Sequence, residues 1–262
     1  MIITEHILRE TLLIDEPNTD SYILYGSYAR GDHDEFSDID ILRITTSRMR
    51  SQRVNGRIFV HVYDVKDLLE LARSGSLFIL HLIREAKPLV DPCEYLRDIS
   101  AAFKKPDCYA IAAREMTSNA SRLLDVDDSL FEIAPKPFMD AAIFLCRTLI
   151  YAEHADRGPF SFSLRVLAEH DEIALMISNI KERSVSYEDF RRIRHAVREK
   201  LRKTDLPSEA LTMDELAGRS QGDALFEGLF RRIAEIPERI GYLSTSEVSS
   251  TASTDRCIAA RP

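Results

Sequence analysis

Two short groups of residues in the first fifth of the chain carry the atoms needed to handle a phosphate-bearing substrate. Gly26-Ser27 ends a short apolar run, and ten residues separate it from Asp38-Ile39-Asp40. A glycine lets the backbone come close to a phosphate, and amides at the start of a following helix can hold anionic oxygens. Carboxylate oxygens suit Mg²⁺. The spacing therefore predicts a phosphate turn followed by a metal-binding pair of aspartates.

Two predicted strands position these groups. The apolar run at residues 22–25 predicts a strand that stops at the turn, and a second strand is predicted to open at Ser37. Because side chains alternate along a strand, Asp38 and Asp40 are expected on one face and Ile39 and Ile41 on the other. The pattern predicts a carboxylate pair that faces a cleft and is backed by a core.

This order of residues resembles the nucleotidyltransferase superfamily of DNA polymerase beta, whose signature is Gly-Ser followed at this distance by Asp-x-Asp. The sequence also contains Arg30-Gly31 and Ser37, which are common in the small bacterial members. The resemblance covers roughly residues 20–92 and implies an α+β fold. We expect a small polymerase-beta-like sheet with flanking helices, followed by an all-helical bundle.

The resemblance implies transfer of a nucleoside monophosphate from a nucleoside triphosphate, with ATP as the expected donor, to a hydroxyl acceptor. The acceptor is a small molecule, a protein or RNA, and analogy of fold does not choose among them. Asp38 and Asp40 are expected to be catalytic and to bind Mg²⁺ or Mn²⁺. The residues expected to contact the nucleotide are Gly26, Ser27, Arg30 and Ser37.

The third carboxylate of the family has no direct counterpart. Asn55-Gly56 predicts a hairpin that joins residues 52–54 to a strand over residues 57–63. The family places a metal-binding carboxylate, which acts as general base, on this second strand. His61 aligns with that position, and alternation along the strand puts His61 on the cleft side and Asp64 on the opposite side.

Three explanations of this departure stay open. His61 serves as a base or ligand, since a neutral imidazole accepts a proton near neutral pH. Alternatively, a carboxylate reaches in from a loop, with Asp34, Glu35 and Asp64 as candidates. In the third case the protein binds nucleotide without efficient transfer. That case corresponds to the alternative function, a nucleotide-binding or regulatory protein such as a toxin-antitoxin component.

The rest of the chain predicts helices. We expect a nucleotidyltransferase domain at residues 1–92, a helical domain at 93–242 that binds the acceptor or a partner, and a disordered Ser/Thr-rich tail at 243–262. Prolines mark the expected breaks. Helices are predicted over residues 94–103, 107–124, 137–153, 163–169, 172–181, 187–203 and 208–236.

The helix predicted over residues 187–203 is amphipathic and basic. Its apolar stripe predicts one buried face, while arginines crowd the remaining surface. Such a face is usually only solvated, but it would also suit RNA or another anionic acceptor. The arginines proposed for RNA contact are Arg191, Arg192, Arg194 and Arg198.

Composition narrows the class of protein. The 262 residues are 45% hydrophobic and 30% charged, as in an ordinary globular protein, and the net charge of -8 argues against wholesale nucleic-acid binding. The four cysteines lie far apart, which fits reduced thiols better than disulfides. No stretch approaches the length of a membrane-spanning apolar segment. We expect a cytoplasmic protein without membrane contact, and a homodimer stays open.

Overall fold

The chain forms two compact units in a computed structural model that describes residues 20–35, 37–46, 52–55, 57–181, 185–202, 212, 216 and 223–234. The first unit comprises Met1–Ala113 and Thr148–Lys181, and the second comprises Arg114–Arg147 and Glu182–Pro262. The predicted tail at residues 243–262 lies outside the described residues.

A five-stranded mixed sheet lies in the first unit. Its strands are β1 (Ser21–Tyr25), β2 (Ile39–Thr45), β3 (Gln52–Asn55), β4 (Ile58–Asp64) and β5 (Lys87–Val90). Their order across the sheet is β3-β4-β2-β1-β5. The central strand β2 pairs antiparallel with β1 and parallel with β4. β5 pairs antiparallel with β1, and β3 with β4.

The predicted strands are present, with one shifted start. The predicted hairpin corresponds to β3 and β4, which pair from Gln52 with His61 to Asn55 with Ile58. The strand predicted to open at Ser37 begins instead at Ile39, whose amide donates to the carbonyl of Arg57 at 2.8 Å. Ser37 belongs to the preceding turn, where its amide bonds to the carbonyl of Asp34.

Both faces of the sheet are packed with apolar residues. On one face, Ile23, Leu42 and Ile44 are buried with helix residues Leu68 and Ile79. The opposite face buries a second cluster, comprising Tyr22, Leu24, Ile41, Ile58, Val60 and Val62. Because burial removes apolar surface from water, these clusters hold the sheet and its helices together.

Helices lie between the strands and follow the last of them along the chain. Two of the helices begin at a side-chain cap: Asp64 caps the helix that starts at Val65, and Ser76 caps the helix that starts at Leu77. None of the helices that the structure describes combines the length and apolar character needed to cross a membrane. The helices are α1 (Gly26–Arg30), α2 (Val65–Arg73), α3 (Leu77–Glu85), α4 (Tyr95–Ala102), α5 (Tyr109–Ala120), α6 (Asp128–Ile133), α7 (Pro135–Arg157), α8 (Leu164–Leu167), α9 (Glu172–Lys181), α10 (Tyr187–Lys200) and α11 (Ala224–Ala234).

The predicted α+β class, a mixed sheet with flanking helices followed by a helical region, is confirmed. Two helix predictions need correction. The helix predicted over residues 137–153 is the longer α7, because Pro135 and Pro137 lie in its first turn, where a proline is tolerated. The short helix α6, capped by Asp127, was not predicted.

In the second unit, α10 buries the stripe that its sequence predicts. Phe190, Ile193 and Val197 are buried, and the ring of Phe190 lies 4.8 Å from that of Phe131. The hydroxyl of Ser186 caps the helix by accepting from the amide of Asp189. This unit is therefore organised around an aromatic core.

Candidate active site

Gly26 and Asp40 are in direct contact at the turn after β1. Residue 25 pairs with residue 40 across β1 and β2, which brings the following glycine against the Asp40 carboxylate. A Cβ atom at Gly26 would lie 2.7 Å from Asp40 Oδ2, and the φ angle of Gly26 is +74°. A side chain would therefore be crowded and strained at this position. The glycine predicted for the phosphate turn is required by the packing of the predicted metal carboxylate.

The short helix α1 follows this glycine and ends at Arg30. Ser27 is half-buried in its first turn, and its carbonyl accepts from the amide of Gly31 at 2.8 Å. Arg30 donates to Asp32 at 3.1 Å and to Glu85 at 2.9 Å. Burial lowers the pKa of Arg30, but bonding to these carboxylates outweighs it and raises the pKa above its ordinary value. The structure thus places Arg30 between two carboxylates, and its contact with triphosphate stays a prediction.

The two aspartates of the predicted metal pair differ in exposure. Asp38 precedes β2 and is exposed, whereas Asp40 lies within the strand and its side chain is 33% exposed. The amide of Ile39, between them, is bonded to the carbonyl of Arg57. The strand therefore fixes the backbone from which both carboxylates project.

Ser37 orders the loop before the aspartates. Its hydroxyl donates to Asp34 Oδ1 at 2.8 Å and accepts from the Asp34 amide at 2.9 Å. The other oxygen of Asp34 pairs with Arg165 at 3.0 Å. These contacts give Ser37 a role in holding the loop, and its predicted contact with nucleotide stays a prediction.

His61 lies on the same face as Asp40. The parallel register sets residue 42 opposite His61, two residues along from Asp40. Its Nε2 atom is 4.0 Å from Asp40 Oδ1, and its ring lies 6.1 Å from that of Tyr25. The structure therefore brings together Gly26, Asp40 and His61.

Two of the carboxylates considered as replacements for the third carboxylate have other partners. Asp64 is only 3% exposed, and its side chain accepts from the Lys66 amide at 2.7 Å as the cap of α2. Asp34 is engaged by Ser37 and Arg165, as described above. Glu35 is exposed on the same loop. His61, in contrast, approaches Asp40 to 4.0 Å.

Sequence reasoning missed Glu85, a carboxylate that bonds both to Arg30 at the end of α1 and to the segment at residues 161–162. Its Oε2 atom accepts from Arg30 and lies 3.1 Å from His81 Nε2, and its Oε1 atom accepts from the Phe162 amide at 2.7 Å. Burial raises its pKa, but the bonds from His81, Phe162 and Arg30 outweigh burial and lower the pKa to about 2. The available sequence signal was weak: a His and a Glu four residues apart on one helix.

The donor atoms of Asp38 and Asp40 fit a hard divalent cation. Within the described residues, no cluster of three or more His, Cys, Asp or Glu side chains is placed to hold a metal ion. Mg²⁺ characteristically binds through one or two protein carboxylates, with substrate phosphates and water as its other ligands. A pair of carboxylates two residues apart matches the number of protein ligands in that preference.

Two of the four arginines proposed for RNA contact on the basic helix α10 bind other parts of the same unit instead. Arg194 donates to the carbonyls of Leu124 and Val126, and Arg198 pairs with Asp125. Arg191 and Arg192 are exposed beside Glu188. The face open to an anionic partner is smaller than the sequence suggested.

Comparison with known proteins places the site within a recognised type of domain. A family model described as a nucleotidyltransferase domain matches residues 7–89. No curated protein matches the chain. Among solved structures, a nucleotidyltransferase-like protein from Exiguobacterium sibiricum 255-15 is 14% identical, with a TM-score of 0.29, and the match covers 88% of this chain and 87% of that chain. The sheet-bearing part of the chain is thus similar to a nucleotidyltransferase domain over residues 7–89.

Proposed function

We propose that the protein transfers a nucleoside monophosphate from a Mg²⁺-bound nucleoside triphosphate, ATP in the first instance, to a hydroxyl acceptor. One observation carries this proposal: the turn glycine packs against Asp40, and His61 Nε2 lies 4.0 Å from the same carboxylate. The residues proposed as the phosphate turn, the metal carboxylate and the proton acceptor therefore lie close together. The family match over residues 7–89 supports the same class of reaction.

In this reaction the acceptor oxygen attacks the α-phosphorus, and the bond to the bridging oxygen breaks to release pyrophosphate. Asp38 and Asp40 would hold the divalent cation, which supplies positive charge to the phosphate oxygens when bound. The bare Cα of Gly26 lets the Asp40 carboxylate lie close to the backbone at the start of α1. Ser27 would orient phosphate oxygens from the first turn of α1.

His61 is the proposed base for the acceptor hydroxyl. Its neutral imidazole would take the hydroxyl proton as the new P–O bond forms, and its Nε2 atom lies 4.0 Å from the Asp40 carboxylate. Much of the remaining barrier reduction in phosphoryl chemistry comes from positioning and charge stabilisation. A histidine in place of a third carboxylate is compatible with both requirements.

The test is a transfer assay with triphosphates labelled in the α-phosphate. Purified protein is incubated with each labelled triphosphate, Mg²⁺ or Mn²⁺, and cell extract as the source of acceptor. We expect label to appear on an acceptor with the natural chain and not with the Asp38→Ala, Asp40→Ala variant. The matched control is Glu70→Ala, Asp98→Ala, which removes two exposed carboxylates from α2 and α4 and should transfer normally.

The alternative function, a regulatory protein that binds nucleotide without transferring it, is favoured by the histidine at position 61. Triphosphate binding without transfer under either metal would contradict our proposal in favour of this alternative. His61→Asp and His61→Ala separate the two further. A productive site should retain or gain transfer with aspartate and lose most of it with alanine, whereas an inert histidine would leave both variants equal to the natural chain.

A further inference from the structure

Glu85 joins three segments of the first unit through a single carboxylate. Arg30, at the end of α1, and His81, one turn earlier on α3, both approach its Oε2 atom. The Phe162 amide and the Ser161 hydroxyl donate to Oε1 at 2.7 and 3.4 Å. Its side chain is 9% exposed, so these contacts replace most of its hydration.

The helix that this carboxylate contacts, α1, is too short to be stable on its own. α1 has five residues, begins with Gly26 and Ser27, and ends with Arg30. A helix of this length is not stable in isolation, so its position depends on tertiary contacts. The bond from Arg30 to Glu85 anchors its last residue to α3, while Asp32 holds the same guanidinium from the following turn.

A second line of contacts runs from Glu85 to the site histidine. His81 stacks on Phe162 with ring centroids 4.5 Å apart and meets the edge of Tyr25 at 5.8 Å. Tyr25 lies directly before Gly26, and its ring is 6.1 Å from that of His61. Both ends of the turn that contains Gly26 are thus connected to residues that contact Glu85.

We propose that Glu85 is a positioning residue for nucleotide binding, which acts through Arg30 to hold α1 where Gly26 and Ser27 can receive phosphates. This inference rests on the proposed function and adds a residue outside its motif. Glu85 contacts no reacting atom in this scheme. The residues that support it from the far side, Ser161 and Phe162, lie well beyond the part matched by the family model.

The experiment compares Glu85→Gln with Asp156→Asn, a matched loss of a carboxylate in the same unit. Asp156 caps α5 by accepting from the amides of Tyr109 and Ala110, and none of its observed contacts reaches α1. Affinity for Mg²⁺-ATP is measured by calorimetry, and amide hydrogen exchange is measured over residues 26–31. We expect Glu85→Gln to weaken binding about tenfold and to speed exchange in this segment. Asp156→Asn should lower thermal stability without either effect.

Coupling to Arg30 provides the specific readout. If Glu85 acts through Arg30, the Arg30→Gln variant and the double variant should bind Mg²⁺-ATP with the same affinity, because the second change removes nothing further. Unchanged affinity or unchanged exchange in Glu85→Gln, or additive effects in the double variant, would overturn the inference while leaving the proposed function standing. If the natural chain itself fails to bind Mg²⁺-ATP, the proposed function fails and the positioning role falls with it.

Discussion

Two clusters of charged residues lie close together in the first unit, and they are built in opposite ways. The site cluster, Asp38, Asp40 and His61, sets two carboxylates two residues apart, one exposed and the other 33% exposed. The anchor cluster, Arg30, His81 and Glu85, is more buried and places opposite charges within 2.9 Å. One cluster concentrates like charge, and the other balances it.

The difference distinguishes charged residues that stabilise the fold from charged residues that are placed for chemistry. A buried carboxylate is tolerated when donors surround it, and Glu85 has donors on both oxygens. Two neighbouring carboxylates repel each other, so the fold gains no stability from placing them together. A bound cation would relieve this repulsion. Removing charge from the site cluster should therefore reduce activity without reducing stability, and removing charge from the anchor cluster should reduce stability.

The largest expected effect comes from Asp40→Asn. Loss of one metal-binding oxygen charge should lower the rate of transfer by about a hundredfold or more. The melting temperature should stay unchanged or rise, because repulsion from Asp38 is removed. Transfer rate and thermal melting, measured on the same preparation, check both parts. A variant that loses stability along with activity would place Asp40 with the anchor cluster and break the contrast.

Gly26→Ala should be the next most severe change. The positive φ angle costs about 1–2 kcal/mol for a residue with a side chain, and crowding against Asp40 adds to that cost. Gly31→Ala is the matched control, since Gly31 also has a positive φ angle of 88° but its Cβ would meet nothing within 4 Å. Chemical denaturation should show a larger loss of unfolding free energy for Gly26→Ala. Equal losses would mean that Asp40 yields freely.

Glu85 should contribute a pH-dependent part of the stability. Because its pKa in the folded chain is about 2, below the ordinary 4.5, the contribution is complete above about pH 4.5 and is lost as the pH falls toward 2. The stability difference between the natural chain and Glu85→Gln should be on the order of 2 kcal/mol at pH 6 and smaller at pH 3. Urea denaturation at the two pH values measures it, and a difference that does not change with pH would contradict the assigned pKa.

The smallest effect tests whether the contrast extends to the second unit. Arg198→Ala breaks a half-buried pair with Asp125 and should lower the unfolding free energy by about 1–2 kcal/mol. Arg191→Ala removes an exposed partner of Glu188 and should cost about 0.5 kcal/mol or less. Denaturation of both variants gives the comparison. If RNA binding is present, the order should reverse in a binding assay, where Arg191→Ala would be the more harmful variant.

The site cluster was predictable because its geometry is local. Strand alternation gave the faces of Asp40 and His61, and the family resemblance placed their two strands opposite each other; the structure shows these strands paired in parallel. The sheet class was predictable from the same alternation. The functional roles of all the predicted site residues remain predictions. For Arg30 and Ser37, the observed side-chain partners lie within the protein.

The anchor cluster was not predictable in this way. Glu85 meets Phe162 across 77 residues of sequence, and a charged contact at that distance leaves no periodic trace. The inward direction of Arg194 was missed for a related reason. A helical wheel shows which face is apolar, but it does not show that the carbonyls of Leu124 and Val126 lie within reach.

The contact between Glu85 and Phe162 bears on how the protein could be shortened. A fragment cut after residue 92 would keep all five strands and the aspartates. It would nevertheless lose the amide and hydroxyl that hold Oε1 of Glu85, together with the ring that covers His81. Such a fragment would contain the Gly26–Asp40 motif but would lack contacts that hold Glu85 and His81 in place. The smallest fragment that keeps the proposed site supported is set by where its charges are satisfied, which is farther along the chain than the last strand.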